Sequence, residues 1–376
     1  MNKVHLRKKI AILCDFPVWI AKPDFPKRNG HYAVWLTTLY DSFETCPDFE
    51  IHWVVLSKAV KKTLRFTSKK QFFHIIPAQK KTIALYTFYL LDRYRVKKEL
   101  STISPDIIHT WGTEYCYGLC GKDSKNKNWL HSVQGLLKAY LQRSKLSRYH
   151  KHHSFYEPAV LKQAPYITVE SPWAGERVQD FRNTSAPIVW EYAVEDVFFN
   201  KERKLSESPS CLYCGNDTAI KNIDTLVKIF SNPELAHVTL YLAGPTAERW
   251  PSLPSNIIAL GRQTRENIAH LLSQTWCLIH LSFADTGPTA VKEARVMRVP
   301  VIISDQCGSK QHIEHGKSGF IVAPTDTDAA IKYVLHITRN VEVSKEMGNY
   351  RADTCRQVLS AYTMQKELIQ IYNNIS

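Results

Sequence analysis

Two carboxylates eight residues apart, Asp285 and Glu293, are the pair whose types and spacing best fit chemistry. Asp285 sits in a turn that leaves an apolar run over 277–281, a run of buried-strand length. Pro288 suits the first position of a helix, with Thr286 or Gly287 as its cap. Thr289 and Glu293 are then four apart and share one face of that helix. Free N–H groups at a helix start hold an anion or a sugar hydroxyl. Glu293, in the second turn, is placed to accept hydrogen bonds from a diol such as ribose. An ordinary strand–helix–strand unit with a solvated Asp and Glu has the same pattern, and spacing alone does not separate the two readings.

The elements around this pair give it a place. Ala290, Ala294 and Met297 make one apolar helical face, and 300–303 reads as the next buried strand. Strand–helix–strand units build parallel sheets, which bind ligands at the carboxyl ends of their strands. Upstream, strands are expected over 9–14, 49–56, 72–77, 106–110, 129–133, 166–171 and 188–194, with helices over 32–43 and 82–98. A helix-like basic and aromatic segment covers 136–153. The strand over 106–110 delivers Trp111 and Glu114 at its end, and the strand over 129–133 delivers Gln134. The polar stretch 201–210 has linker composition. Beyond it, strands are expected over 210–214, 238–243, 257–261 and 319–322, helices over 266–274 and 328–337, and a helical tail over 352–375.

Residues 278–319 resemble the signature of family 4 glycosyltransferases, the retaining two-domain GT-B enzymes. That signature runs Glu, seven residues, Glu, a Gly-Xaa-Pro-Val-Ile strand, a Gly-rich loop and Glu-Xaa-Gly-Xaa-Xaa-Gly. This chain has Asp285, seven residues, Glu293, then Arg298-Val299-Pro300-Val301-Ile302, Cys307-Gly308 and Glu314-His315-Gly316-Lys317-Ser318-Gly319. Asp replaces the first Glu, Arg298 the usual Gly, and Gln311 a frequent Glu. The family's Gly-Arg with a Lys five residues on, which holds the donor pyrophosphate, corresponds to Gly215-Asn216 and Lys221; Arg262 is a cation that would compensate for Asn216. Of the family's first glycine-rich loop only Gly30 remains. Gln134-Gly135 stands where many relatives have His-Gly.

The resemblance implies an α/β chain of GT-B type, two Rossmann-like domains facing a cleft. The first domain, residues 1–198, would bind the acceptor, with Trp111, Glu114 and Gln134 near it. The second, residues 199–355, would bind the donor. A final helix, 356–376, would cross back to the first domain. Lys221, Asp285 and Glu293 would carry catalysis, joined in donor binding by Gly30, Gly215, Asn216, Arg262 and the stretch Thr286, Gly287, Pro288 and Thr289. The reaction implied is hexosyl transfer with retention, from a nucleotide-sugar to a glycan or lipid-linked acceptor, in surface polysaccharide or glycoconjugate synthesis. The nucleotide-sugar is a substrate, so no cofactor is expected, and no metal.

Composition narrows the alternatives. A chain of 376 residues with an apolar fraction of 44 % fits two soluble domains. The start is basic then apolar, but Asp15 interrupts it, so it reads as a core strand and not as a signal peptide. The longest apolar run nearby, 83–91, is far short of the ~20 residues that span a bilayer. Nine scattered cysteines read as buried thiols of a cytoplasmic protein. Cys211 and Cys214 fall on opposite faces of one strand, a poor metal pair. His150, His152 and His153 lack a carboxylate or Cys companion and read as surface residues. His109 and His131 read as satisfied inner histidines. The net charge is +14, and residues 51–98 carry twelve Lys or Arg against one acid, Asp92. Such a face fits nucleic acid, an anionic membrane surface or an anionic glycan, and equally a solvated basic surface; no recognised nucleic-acid motif accompanies it. The expected location is cytoplasmic, peripheral on the inner face of the plasma membrane. A nucleotide-sugar epimerase of the same architecture and a non-catalytic basic sugar- or nucleic-acid-binding protein remain open alternatives.

Overall fold

The structure, a computed structural model, describes residues 7–27, 33–182 and 184–375. Gly30 lies outside the described residues. Two parallel sheets organise the chain. The first holds β1 (Lys8–Leu13), β2 (Phe49–Ser57), β3 (Leu64–Ser68), β4 (Gln71–Pro77), β5 (Ile107–Trp111), β6 (Trp129–Ser132), β7 (Tyr166–Val169) and β8 (Ile188–Val189), in the order β3-β4-β2-β1-β5-β6-β7-β8. The second holds β9 (Ser210–Cys214), β10 (Thr239–Ala243), β11 (Ile257–Gly261), β12 (Cys277–His280), β13 (Val301–Ser304) and β14 (Gly319–Val322), in the order β11-β10-β9-β12-β13-β14. Helices cover both faces, which is why β2, β12 and β13 are apolar along almost their whole length. This is the GT-B arrangement of two Rossmann-like domains.

β3 was not expected from the sequence. It is an antiparallel edge strand joined to β4 by a tight turn in which Lys69 and Lys70 adopt left-handed φ of 48° and 60°. Two expected helices are each broken in two. The one over 82–98 becomes Lys81–Tyr86 and Leu90–Ile103, interrupted by Phe88 and Tyr89 at φ 48° and 60°. The break lets Tyr89 turn inward, fully buried, with its hydroxyl 3.0 Å from His153 Nε2. The segment over 136–153 becomes Leu137–Arg143 and Arg148–Ser154, with Ser147 capping the second piece through the N–H of His150. His153 is accordingly not a surface residue: it is buried beneath Tyr89 and also bonds the Tyr149 carbonyl at 2.8 Å. The tail likewise splits into Ala352–Val358 and Ala361–Ile375, because the Ser360 hydroxyl accepts from the Thr363 N–H and starts a new helix.

That last helix crosses back to the first domain. Met364, Leu368, Ile371 and Tyr372 enter the same core as Ile10, Ile12, Trp53 and Trp190. Two buried hydrogen bonds fix the crossing: Trp190 Nε1 to the Met364 carbonyl at 3.0 Å, and the Tyr372 hydroxyl with His109 Nδ1 at 2.7 Å. His109 also bonds Ser132, so it is a satisfied core histidine. Arg298 adopts φ 61°, the left-handed conformation that explains why glycine is usual at that position of the resembled signature.

Candidate active site between the two sheets

The donor-side residues converge at the carboxyl ends of β9 and β12. Lys221 closes the single 3-10 turn Ala219–Lys221 that follows β9, and its Nζ donates to Asp285 Oδ2 at 2.5 Å. His280, the last residue of β12, lies 3.2 Å from the same oxygen. Burial opposes the Asp285 charge, yet Lys221 and His280 hold its carboxyl well below the usual carboxylate range. Burial lowers His280 against the pull of Asp285, so Lys221 is the main cation of the pair.

The helix Thr289–Val296 starts one residue later than expected, with Pro288 as its cap residue and no side chain bonded to its first N–H groups. The Val291 N–H is taken by the Pro288 carbonyl at 3.1 Å; a helix start without a side-chain cap is the kind of place that holds an anion. Glu293 is 1 % exposed. One of its oxygens accepts from Arg265, which also grips Glu195. The other has no hydrogen-bond donor among the described residues. A buried carboxylate oxygen without a donor costs about 1–3 kcal/mol, a cost that a ligand hydroxyl would relieve. Arg265 opposes its own desolvation through these two carboxylates, which hold its guanidinium above its ordinary value. The sequence reading named Arg262 as the compensating cation. Arg262 is exposed, and Arg265, one helical turn further on, is the residue that reaches Glu293.

The first domain covers this loop closely. Thr286 donates its hydroxyl to the Gln134 carbonyl at 2.6 Å, and Ser171 donates to the Thr286 carbonyl at 2.6 Å. Gly308 has to be glycine for this approach: a Cβ there would stand 1.8 Å from the Thr286 carbonyl oxygen and 2.2 Å from Ser171 Oγ. Lys292, on the same helix as Glu293 and 1 % exposed, donates to Glu170 at the end of β7 at 2.7 Å. Glu191, after β8, stands 3.8 Å from Lys292 and also binds His312 at 2.6 Å and Gln311 at 2.5 Å. Gln311 therefore suits its place better than the Glu of the resembled signature, which would oppose Glu191. Burial pushes Glu170 up to about 7 against the pull of Lys292.

In the first domain, Glu114, expected near the acceptor, is the unusual group. Burial, reinforced by Glu157, pushes its carboxyl up to about 7, against the pull of nearby backbone N–H groups. Its oxygens occupy the space above Gly112 and Gly135, where added Cβ atoms would lie 2.4 Å away. Oε2 is buried without a partner among the described residues. Tyr140 packs beside it, with its ring near Gly135, and its phenol is kept neutral by burial and by the charges of Asp285 and Glu114. A raised carboxyl in a cleft is a mark of a functional group.

Several expected site residues do something else. Trp111 is a core residue, 3 % exposed, stacked on His109 and bonded to the Tyr192 hydroxyl at 2.9 Å. The strand's side-chain alternation turns it inward, so it is not at the acceptor side of the cleft. The Gly215 N–H is taken by the Ala243 carbonyl at 3.0 Å. Asn216 spends its side-chain oxygen on Thr218 at 2.6 Å. Thr286 likewise spends its hydroxyl on Gln134, and Gly287 faces Glu170. The residues missed in the sequence are Arg265, Lys292, Glu170, Tyr140 and His280. His280 and Lys292 lie inside the 278–319 signature without being among its marked positions, and Arg265, Lys292 and Glu170 meet their partners only through the fold; the charge run 138–151 was the one signal near Tyr140.

Known proteins share this arrangement. Residues 194–354 match the family model described as Glycosyl transferases group 1. N-acetyl-alpha-D-glucosaminyl L-malate synthase of Bacillus anthracis is 23 % identical over 210 residues, 51 % of this chain and 55 % of that protein. The chain thus aligns with only about half the length of that curated relative. Among solved structures, sucrose-phosphate synthase from Thermosynechococcus elongatus superposes with a TM-score of 0.79 at 16 % identity, covering 98 % of this chain and 99 % of that one. HepE of Anabaena, solved in complex with UDP-glucose, gives 0.71 at 12 % identity, covering 97 % and 99 %.

Proposed function

We propose that this chain, which carries a glycosyl transferases group 1 domain on a GT-B fold, moves a hexosyl unit from a nucleotide-sugar to a hydroxyl acceptor in the first domain, with retention. The observation that carries this reading is the part-buried Lys221–Asp285 pair at 2.5 Å, with Glu293 and a helix start without a side-chain cap beside it and Glu114 in the facing domain. Lys221 and the helix N–H groups would stabilise the leaving diphosphate. Asp285 would hold sugar hydroxyls and Glu293 the ribose. HepE was solved with UDP-glucose, which favours a uridine diphosphate donor. The test is donor binding. A uridine diphosphate sugar at ~100 times its dissociation constant should add about 2.7 kcal/mol of stability. Glu293→Gln should weaken that binding by about 1.5–3 kcal/mol, the worth of a bond to a charged group. Equal calorimetric affinity in the two proteins would remove Glu293 from the donor site.

Glu114 would accept the hydrogen bond of the attacking hydroxyl. Its carboxyl ionises around pH 7, so kcat/KM should climb between pH 6 and 8. Glu114→Gln should lower kcat/KM at pH 8 by about 10²–10⁴ and flatten the profile. The folded carboxyl lies above its unfolded value, so wild type gains stability from it at low pH and loses that gain as pH rises through 7. The Gln variant should therefore be the more stable at pH 8, by about 3 kcal/mol. A parallel pH profile in wild type and variant would exclude the role.

The first domain would also dock on an anionic membrane. No helix among the described residues is long and apolar enough to cross one. Tyr86, Leu90, Tyr94 and Phe155 are 87, 62, 65 and 74 % exposed, with Ile83 and Phe88 half exposed among them. Lys80, Lys97 and Lys98 flank this patch. Arg65, Lys69, Arg93 and Arg95 have carboxylate partners, so the basic surface is smaller than the charge run over 51–98. Docking would supply a surface glycan or lipid-linked acceptor in place. Co-sedimentation should require anionic vesicles, fade with salt, and drop in Tyr86→Ser/Leu90→Ser; equal pelleting with neutral vesicles would rule it out.

A further inference from the structure

A cavity of about 200 Å³ opens at the carboxyl ends of β1, β2, β4 and β5, lined by Asp15, Lys58, Gln79, Lys81, Tyr115 and Tyr149. Four strand ends supply its polar wall: Asp15 follows β1, Lys58 follows β2, Gln79 and Lys81 follow β4, and Tyr115 follows β5, while Tyr149 comes from the helix Arg148–Ser154. This is where an open parallel sheet exposes its ligand contacts. The volume is below the 300–1,000 Å³ of sites for drug-sized ligands, so it suits one small group.

Lys58 and Lys81, both exposed, face this cavity with the Asp15 carboxylate, and the buried Asp92, which accepts from the Gln79 N–H, lies within reach of the Lys58 charge. No ion pair is found for Lys58 or Lys81 among the described residues, in contrast to Arg65, Lys69, Arg93 and Arg95 nearby. Lys81 Nζ stands 3.7 Å over the Tyr149 ring, which keeps the ammonium at the wall. The Tyr149 phenol is pushed up to about 12 by burial, so it stays a neutral donor. The cavity lies next to Glu114. Tyr115 directly follows Glu114, and the Glu114 charge reaches both Tyr149 here and Tyr140 beside Thr286 and Asp285.

We propose that this cavity holds an anionic head group of the acceptor, a phosphate or a carboxylate, between Lys58 and Lys81, leaving a hydroxyl of the same molecule to point along Tyr115 towards Glu114. The inference rests on the transfer reading for the word acceptor, but the anion site stands on its own contacts. The ammonium groups would supply charge-assisted hydrogen bonds and Tyr149 a neutral one. An acceptor without the anion would bind weakly however many hydroxyls it carried.

Calorimetry on the full chain tests it with glycerol phosphate, L-malate and inorganic phosphate as probes, glycerol as the neutral counterpart and UDP as the control. Wild type should bind at least one anionic probe at least tenfold more tightly than glycerol, and the preferred probe identifies phosphate or carboxylate. Lys58→Ala/Lys81→Ala should weaken that probe by thirtyfold or more, with UDP affinity unchanged as proof of folding, and Lys81→Arg should recover part of it. Equal affinity for the anions in wild type and double variant, or no preference for anions over glycerol in wild type, overturns the proposal. Lysine-dependent anion binding by a protein that binds neither UDP nor a uridine diphosphate sugar would uphold the cavity and refute transfer from that donor class.

Discussion

Lys221→Ala should lower kcat by about 10²–10³ while changing donor affinity far less. The lysine is the cation at the carboxyl end of β9, and in this structure it is paired with Asp285 at 2.5 Å. If the diphosphate leaves beside it, negative charge grows on the leaving oxygen, and the ammonium stabilises that charge more than it stabilises bound substrate. Removing one preorganised electrostatic donor costs about 10²–10³ in kcat in other enzymes. The Asp285 carboxyl also loses the partner that holds it low, leaving His280 at 3.2 Å. Lys221→Arg should restore part of the loss, because it keeps the charge. Steady-state kinetics with calorimetric donor affinities decide it. Equal losses in kcat and in affinity would mean that Lys221 only anchors the ground state.

Lys292→Met should destabilise the protein by about 3–5 kcal/mol at pH 8, the usual consequence of breaking a buried ion pair. Lys292 is the buried cation between the domains, 2.7 Å from Glu170 and 3.8 Å from Glu191. Its removal leaves the Glu170 charge buried, whereas Glu191 keeps His312 and Gln311. The loss should depend on pH. With Lys292 present, Glu170 is already raised to about 7 by burial, and without the cation it rises further. A group raised in the folded state adds stability below its unfolded value and loses that contribution as pH rises through its folded value. The variant should therefore lose little at pH 5.5 and most at pH 8, and Glu170→Gln on top of it should recover much of the loss. Denaturation midpoints at the two pH values measure this. A loss independent of pH that Glu170→Gln fails to relieve would show that Lys292 acts through packing alone.

Much of the architecture was legible in the sequence because parallel strands buried on both faces announce themselves. The runs over 49–56, 210–214 and 277–281 are apolar and bounded by polar residues, and each is a strand here, with at most one residue of difference at an end. β3 was not legible, since a five-residue edge strand with alternating burial is held by pairing with β4 and not by its own apolar run. Helix breaks at Phe88–Tyr89 and near Ser144–Ser147 were not legible either, because Tyr89 leaves the helix to bury itself against His153, 64 residues away.

The same division runs through the site. The sequence by itself determined the eight-residue spacing of Asp285 and Glu293 around a turn at the carboxyl end of a strand, and hence that both carboxylates lie by one helix start. That is local geometry, set by a short turn and a 3.6-residue period. Only the tertiary structure decided which cations meet them. Lys221 is 64 residues from Asp285 and Arg265 is 28 from Glu293, and each pair forms because parallel strands of one sheet, β9 and β12 as neighbours and β11 further out, bring their carboxyl ends to one edge. It likewise decided that Trp111 turns into the core while Glu114, three residues on, stays half-buried with its carboxyl raised beside Tyr140. Burial and charge pairing depend on everything packed around a group, and a linear pattern holds no record of its distant neighbours.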